Sequence, residues 1–114
     1  MCMIGDVTGA MMVRKSFLAW KIFTSYSRGA KAEYMPMFRF GGANKVNTWC
    51  TADMLPTQSN SSGWWCYKTR VSARAVCGHG SEYVIRRVKI RGKVVEHQIG
   101  WRAERMMILP LRGE

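Results

Sequence analysis

The stretch that most constrains this chain is YVIRRVKIRGKVVEH, residues 83–97. Its β-branched residues and period-two alternation read as a strand. Successive side chains of a strand point to opposite faces. Val84, Val88 and Ile90 therefore share one side, and Arg87, Lys89, Arg91 and Lys93 share the other. A fold containing this segment must set its apolar side on a core and turn a row of cations outward. Same-side neighbours stand about 6.6 Å apart, twice the rise per residue. Four like charges at that spacing repel, and residues 84–93 hold no acid to offset them. Such a row suits a polyphosphate. The plainer reading is that it pairs with Glu33, Glu96 or Glu104 on neighbouring strands. Gly92 marks the point where a β-bulge would reverse the alternation beyond it.

The rest of the chain gives this strand its company. Residues 11–26 alternate from Ser16, with Leu18, Trp20 and Ile22 on one side and Phe17, Ala19, Lys21 and Phe23 on the other. The lysine-free side is the expected core face, with Trp20 as its anchor. Residues 32–40 read as extended, and Pro36 makes them an edge strand or bulges them. Residues 53–63, rich in Ser, Asn and Gln with Pro56, read as a mobile loop. Thr69 can cap a short helix over about 69–77, with Val71 and Ala75 toward the core and Arg70 and Arg74 on another face. Gly78 and Gly80 would end that helix. Residues 101–109 read as a strand joined to the basic one by a turn at 98–100. The expected fold class is α+β: a mostly antiparallel β-sheet with one short helix packed on it, in a single domain spanning 1–114.

Charge narrows the partner. Eighteen Lys and Arg against seven Asp and Glu give a net charge of +11. A domain this basic attracts polyanions, which makes nucleic acid, a nucleoprotein complex or an acidic protein surface the expected partners. Trp64, Trp65 and Tyr67 lie beside Lys68 and Arg70, and aromatics interleaved with cations can stack unpaired bases. The alternative is that both tryptophans are partly buried. The candidate nucleic-acid-binding set is Arg86, Arg87, Lys89, Arg91 and Lys93 on the strand, Arg70 and Arg74 on the helix, and Trp64 and Trp65.

Other chemistries find less support. No apolar run approaches the roughly 20 residues of a membrane span, so no membrane partner is expected. The first 15 residues lack the order of a signal peptide, which points to the cytoplasm and to reduced thiols. Cys50, Cys66, Cys77 and His79 have spacings that match no common zinc motif, so neither metal nor cofactor is expected. There is no nucleophile elbow, phosphate loop or paired carboxylate motif. Glu96, His97, Arg102 and Glu104 remain as either a structural network or the site of a small nucleotide-directed transferase.

GWWCYK at 63–68, GKVVEH at 92–97 and GWRAE at 100–104, separated by a short helix and a strand, resemble a pattern in small accessory proteins of bacteria and their phages. That family has no established activity and brings no catalytic residues. What the resemblance implies is an accessory or mobile-element protein. With the charge, it suggests a small binding protein that engages nucleic acid or a nucleic-acid–protein complex, for instance as an anti-CRISPR-like inhibitor of a host defence complex. The alternatives are docking on an acidic partner protein and the nucleotide-directed transferase.

Overall fold

The computed structural model describes residues 4–25, 33–36, 44–52, 63–77 and 83–110. The mobile loop expected over 53–63 falls, apart from Gly63, outside the described residues. The elements run β1 (Met12–Ser25), β2 (Glu33–Pro36), β3 (Asn44–Lys45), β4 (Cys50–Thr51), β5 (Trp64–Tyr67), α1 (Arg70–Cys77), β6 (Tyr83–Glu96) and β7 (Gly100–Ile108). All strand pairs are antiparallel. Among the described residues this is the mostly antiparallel sheet with one short helix that the sequence predicts.

The sheet curls on itself. β6 pairs with β1 along nearly its whole length and with β7 on its other edge. β7 pairs in turn with β5, and β5 returns to β1 through Trp20 opposite Tyr67. The ring β1–β6–β7–β5 therefore closes through that one residue pair, which shortens the free edges of these four strands. β4 adds to β7, and β2 and β3 extend from β1. β2 is not an edge strand, because β3 flanks it. Pro36, which lacks a backbone donor, sits at its last position.

Closure creates an inside and an outside, and each has its own apolar cluster. Inside, Ala19 and Phe23 of β1 meet Val88, Ile90 and Val94 of β6, Trp64 and Cys66 of β5, and Ala103, Met106 and Ile108 of β7. Outside, Ile4, Ile22, Tyr67 and Ala73 are buried where α1 and the N-terminal segment cover the sheet, with Trp20, Trp65, Val76 and Ile85 packed around them. The core face of β1 is thus the side of Ala19 and Phe23. The Leu18–Trp20–Ile22 side lies outside the ring: Ile22 is buried under α1, Trp20 is half-buried and Leu18 is 45% exposed. Lys21, which made the inner side look like the solvent side, is only 2% exposed. Its Nζ donates to Trp65 O at 2.6 Å and lies over the Trp64 and Phe23 rings.

α1 begins as expected, with Thr69 Oγ1 accepting from Ser72 N at 3.1 Å. Its buried face is not the expected one. Val71 is 79% exposed and Ala75 is exposed, while Ala73 is buried with Val76 and Cys77 partly so. Ala73, Val76 and Cys77 recur at i, i+3 and i+4, and this stripe, not that of Val71 and Ala75, meets the sheet.

Gly92 carries the expected bulge. The β6–β7 register advances by one residue between Arg91 and Val94, and Gly92 has φ +86°, a conformation that costs L residues. β1 compensates between Arg14 and Phe17, where its own register against β6 shifts. Residues 4–8 add a strap along the far end of β6. Thr8 N donates to Glu96 O, Gln98 N to Asp6 O and Ile99 N to Ile4 O, each at 3.0 Å. Among the described residues, no helix is long and apolar enough to cross a membrane.

Candidate nucleic-acid interface

The alternation of β6 sorts its cations. Val84, Val88 and Ile90 face inward, so Arg87, Lys89 and Arg91 face outward on the open side of the barrel wall. Arg87 is exposed, and Lys89 and Arg91 are half-exposed. Lys93 is exposed too, but it lies beyond the Gly92 bulge, opposite Val13. The row of three is regular, and the fourth cation is displaced from it by the extra residue.

Arg86 departs from the candidate set. It shares the inward side with Val84 and Val88, is 3% exposed, and donates from Nη2 to Leu109 O at 2.7 Å. It stands directly opposite Lys21, so two buried cations face each other at this end of the ring, each donating to a backbone carbonyl. Consecutive arginines on a strand cannot both face solvent unless the strand is free on both sides.

Trp64 and Trp65 also leave the candidate interface. Trp64 is 4% exposed inside the ring, where its Nε1 donates to Cys50 O at 3.1 Å. Trp65 faces the other way and is packed under α1. The aromatic partners of the outward row are instead Trp20 and Trp49. The Arg87 guanidinium carbon lies 5.6 Å from the Trp20 ring centre, and that of Arg91 lies 4.0 Å from the Trp49 ring centre. Arg70 and Arg74 remain at the surface of α1, where they flank Val71 around an open depression of about 300 Å³.

Strand register completes the face. Leu18 and Met107 flank Lys89, Trp20 flanks Arg87, and Arg105 of β7 stands opposite Arg91. Thr51 of β4 is the next residue along, opposite Arg105. Arg105 belongs to the face although nothing in WRAERMM singles it out. Its place follows from a pairing 14 residues away in sequence, at Arg91.

Two of the acids that could have neutralised the row are used elsewhere. Glu96 pairs with Lys68 at 2.6 Å. Glu104 accepts from Lys93 N at 3.4 Å and packs over Gly92. The side chain of Glu33 is outside the described residues. Among the described residues, none of Arg87, Lys89, Arg91 and Arg105 has an ion pair. The Arg91 Nε is buried without a hydrogen-bond partner there, a position that ordinarily costs about 1–3 kcal/mol.

Glu96, His97, Arg102 and Glu104 do not converge on one point. His97 is fully buried, with Nδ1 2.8 Å from Gly5 O and Nε2 accepting from Arg102 Nε at 3.0 Å. An arginine only donates, so His97 carries its proton on Nδ1 and is neutral. Burial is the largest cause holding its pKa below the usual 6.5. Glu96 and Glu104 engage Lys68 and the bulge instead. His97 and Arg102 together tie the N-terminal strap to the β6–β7 hairpin. Among the described residues, no three His, Cys, Asp or Glu side chains gather where a metal could bind. Compared with protein-family models, curated proteins and solved structures, the chain matches none.

Proposed function

We propose that this protein is a binding module that engages nucleic acid, free or within a nucleoprotein complex, through the outer face of β6 and β7. The observation that carries the reading is the cluster of Arg87, Lys89, Arg91 and Arg105 on one face, without an ion pair among the described residues. A fold that needed these side chains for stability would oppose them with carboxylates, since like charges on facing strands destabilise a sheet. Outward cations beside half-buried tryptophans match the way single strands are held, by phosphate contact and by stacking. The finer proposal, an inhibitor of a host defence complex, rests on the sequence resemblance and keeps the same face as its contact surface.

Salt titration tests it. Four phosphate contacts give a slope of log K against log[salt] near −3 for a single strand, at about 0.7 per contact. Replacing Arg87, Lys89 and Arg91 together by Gln lowers that slope by about 2 and leaves the fold intact. Unfolding of the triple variant would mean that these residues are structural. Undiminished binding would move the contact to another surface. Absence of any nucleic-acid binding at low salt would leave docking on an acidic protein as the better reading.

A further inference from the structure

We infer that Arg91 and Arg105, held opposite each other on β6 and β7, clamp one phosphodiester of a single-stranded nucleic acid between them; this rests on the reading above and names the ligand class of that face. Direct cross-strand neighbours have Cβ atoms about 4.5–5.5 Å apart, the separation at which sheets favour opposite charges. Here the pair is Arg opposite Arg. Glu104, the residue beside Arg105, is turned to the Gly92–Lys93 bulge instead. An anion placed between the two guanidinium groups would relieve their repulsion, and a phosphate accepts from both forks.

The clamp is partly built in advance. The Arg91 guanidinium is held over the Trp49 ring, and its buried Nε makes no hydrogen bond among the described residues. Stacking rather than an ion pair therefore fixes this side chain, and a fixed donor loses less freedom when a ligand arrives. Thr51, exposed and opposite Arg105, adds a hydroxyl to the same row.

A single strand fits this face better than a duplex because cations and apolar groups alternate across it. Next to the Arg91–Arg105 row comes Leu18–Lys89–Met107, and then Trp20–Arg87. Leu18 is 45% exposed and Trp20 is half-buried. A duplex offers this surface only phosphates and sugars, whereas unpaired bases can lie on it.

The test measures binding of a 12-nucleotide oligothymidylate, a duplex of the same length and inorganic phosphate. The proteins are the parent, Arg91→Gln, Arg105→Gln, the double variant and Arg105→Lys. The parent is expected to bind the single strand at least tenfold more tightly than the duplex, and far more tightly than inorganic phosphate. Each single Gln variant is expected to lose about tenfold. The double variant is expected to lose less than the product of the two, because both residues hold one phosphate. Arg105→Lys, which keeps charge without the fork, is expected to fall between. Fully multiplicative losses would mean separate phosphates and overturn the clamp while sparing the nucleic-acid reading. Preference for the duplex, or equal affinity for inorganic phosphate, would overturn the single-strand assignment. Failure of the parent to bind either oligonucleotide at low salt would sink the nucleic-acid reading and the clamp with it. Arg105→Gln is expected to hold or raise the melting temperature, since it removes a repulsion. A fall of more than about 5 °C would mark the pair as structural and overturn the proposal.

Discussion

Arg102 Nε donates to His97 Nε2 across 3.0 Å, between two side chains that are both almost completely shielded from solvent. The histidine in turn reaches Gly5 O at 2.8 Å with its other ring nitrogen. One imidazole thus joins the N-terminal strap to β7, and it can do so only while neutral. Protonation would set an Nε2–H against an arginine N–H in a buried site.

Stability should therefore depend on pH in a defined direction. The folded-state pKa of His97 lies below 6.5, through burial first and then through Arg102 and Lys68, with Gly5 O and Asp6 opposing. Between that value and about 6.5 the unfolded chain binds more protons than the folded one, so stability rises with pH across this window. The contribution is complete above about pH 6.5 and is lost progressively as pH falls below it. Melting temperatures from pH 4.5 to 8 should show this slope, and His97→Gln should flatten it. An unchanged slope in the variant would assign the effect to other groups.

Gly92→Ala should destabilise the fold by about 1–2 kcal/mol, the usual cost of a left-handed L residue. A Cβ there would also come within 2.6 Å of Glu104 Oε1, but that atom ends a flexible side chain and can move. The backbone cannot. Glu104→Ala in the same chain should therefore fail to restore the loss, and Gly92→Asn should cost less than Gly92→Ala, since Asn tolerates this conformation. Chemical denaturation of the three variants checks the order.

Of the three cysteines among the described residues, Cys66 should be the least reactive. Burial inside the ring raises its pKa to about 11, with the Lys21 charge opposing. Cys50 and Cys77 are half-exposed and should react first with a disulfide reagent at neutral pH. Cys66 should modify only at the rate of unfolding. Fast modification of Cys66 in the native protein would mean that the ring opens readily.

Two of the three large aromatics of β1, Phe23 and Trp20, should separate by burial. Phe23 is fully buried inside the ring, and Phe23→Ala should cost about 3–5 kcal/mol. Trp20, half-buried outside it, should cost about 1–2 kcal/mol as Ala. Equal losses would mean that the outer cluster is as tightly packed as the inner one.

The sequence by itself determined the local features. Period-two alternation placed β1, β6 and β7, Thr69 marked the start of the helix, and Gly92 announced the bulge, because each is set by neighbours within a few residues. The inward side of β6 was legible because Val84, Val88 and Ile90 fall on one parity and the cations Arg87, Lys89 and Arg91 on the other, although Ile85 shares the cations' parity and packs in the outer cluster. Tertiary structure decided the rest. Both faces of β1 carry apolar residues, and only ring closure through Trp20 and Tyr67 makes the Lys21 side the inside. Arg86 and Trp64 looked available for binding until closure buried them, while Arg105 and Trp49 joined the outward face through strand register and packing. Alternation says that two sides of a strand differ. Which side is covered depends on pairings between residues far apart in the chain, and a local pattern carries no information about those.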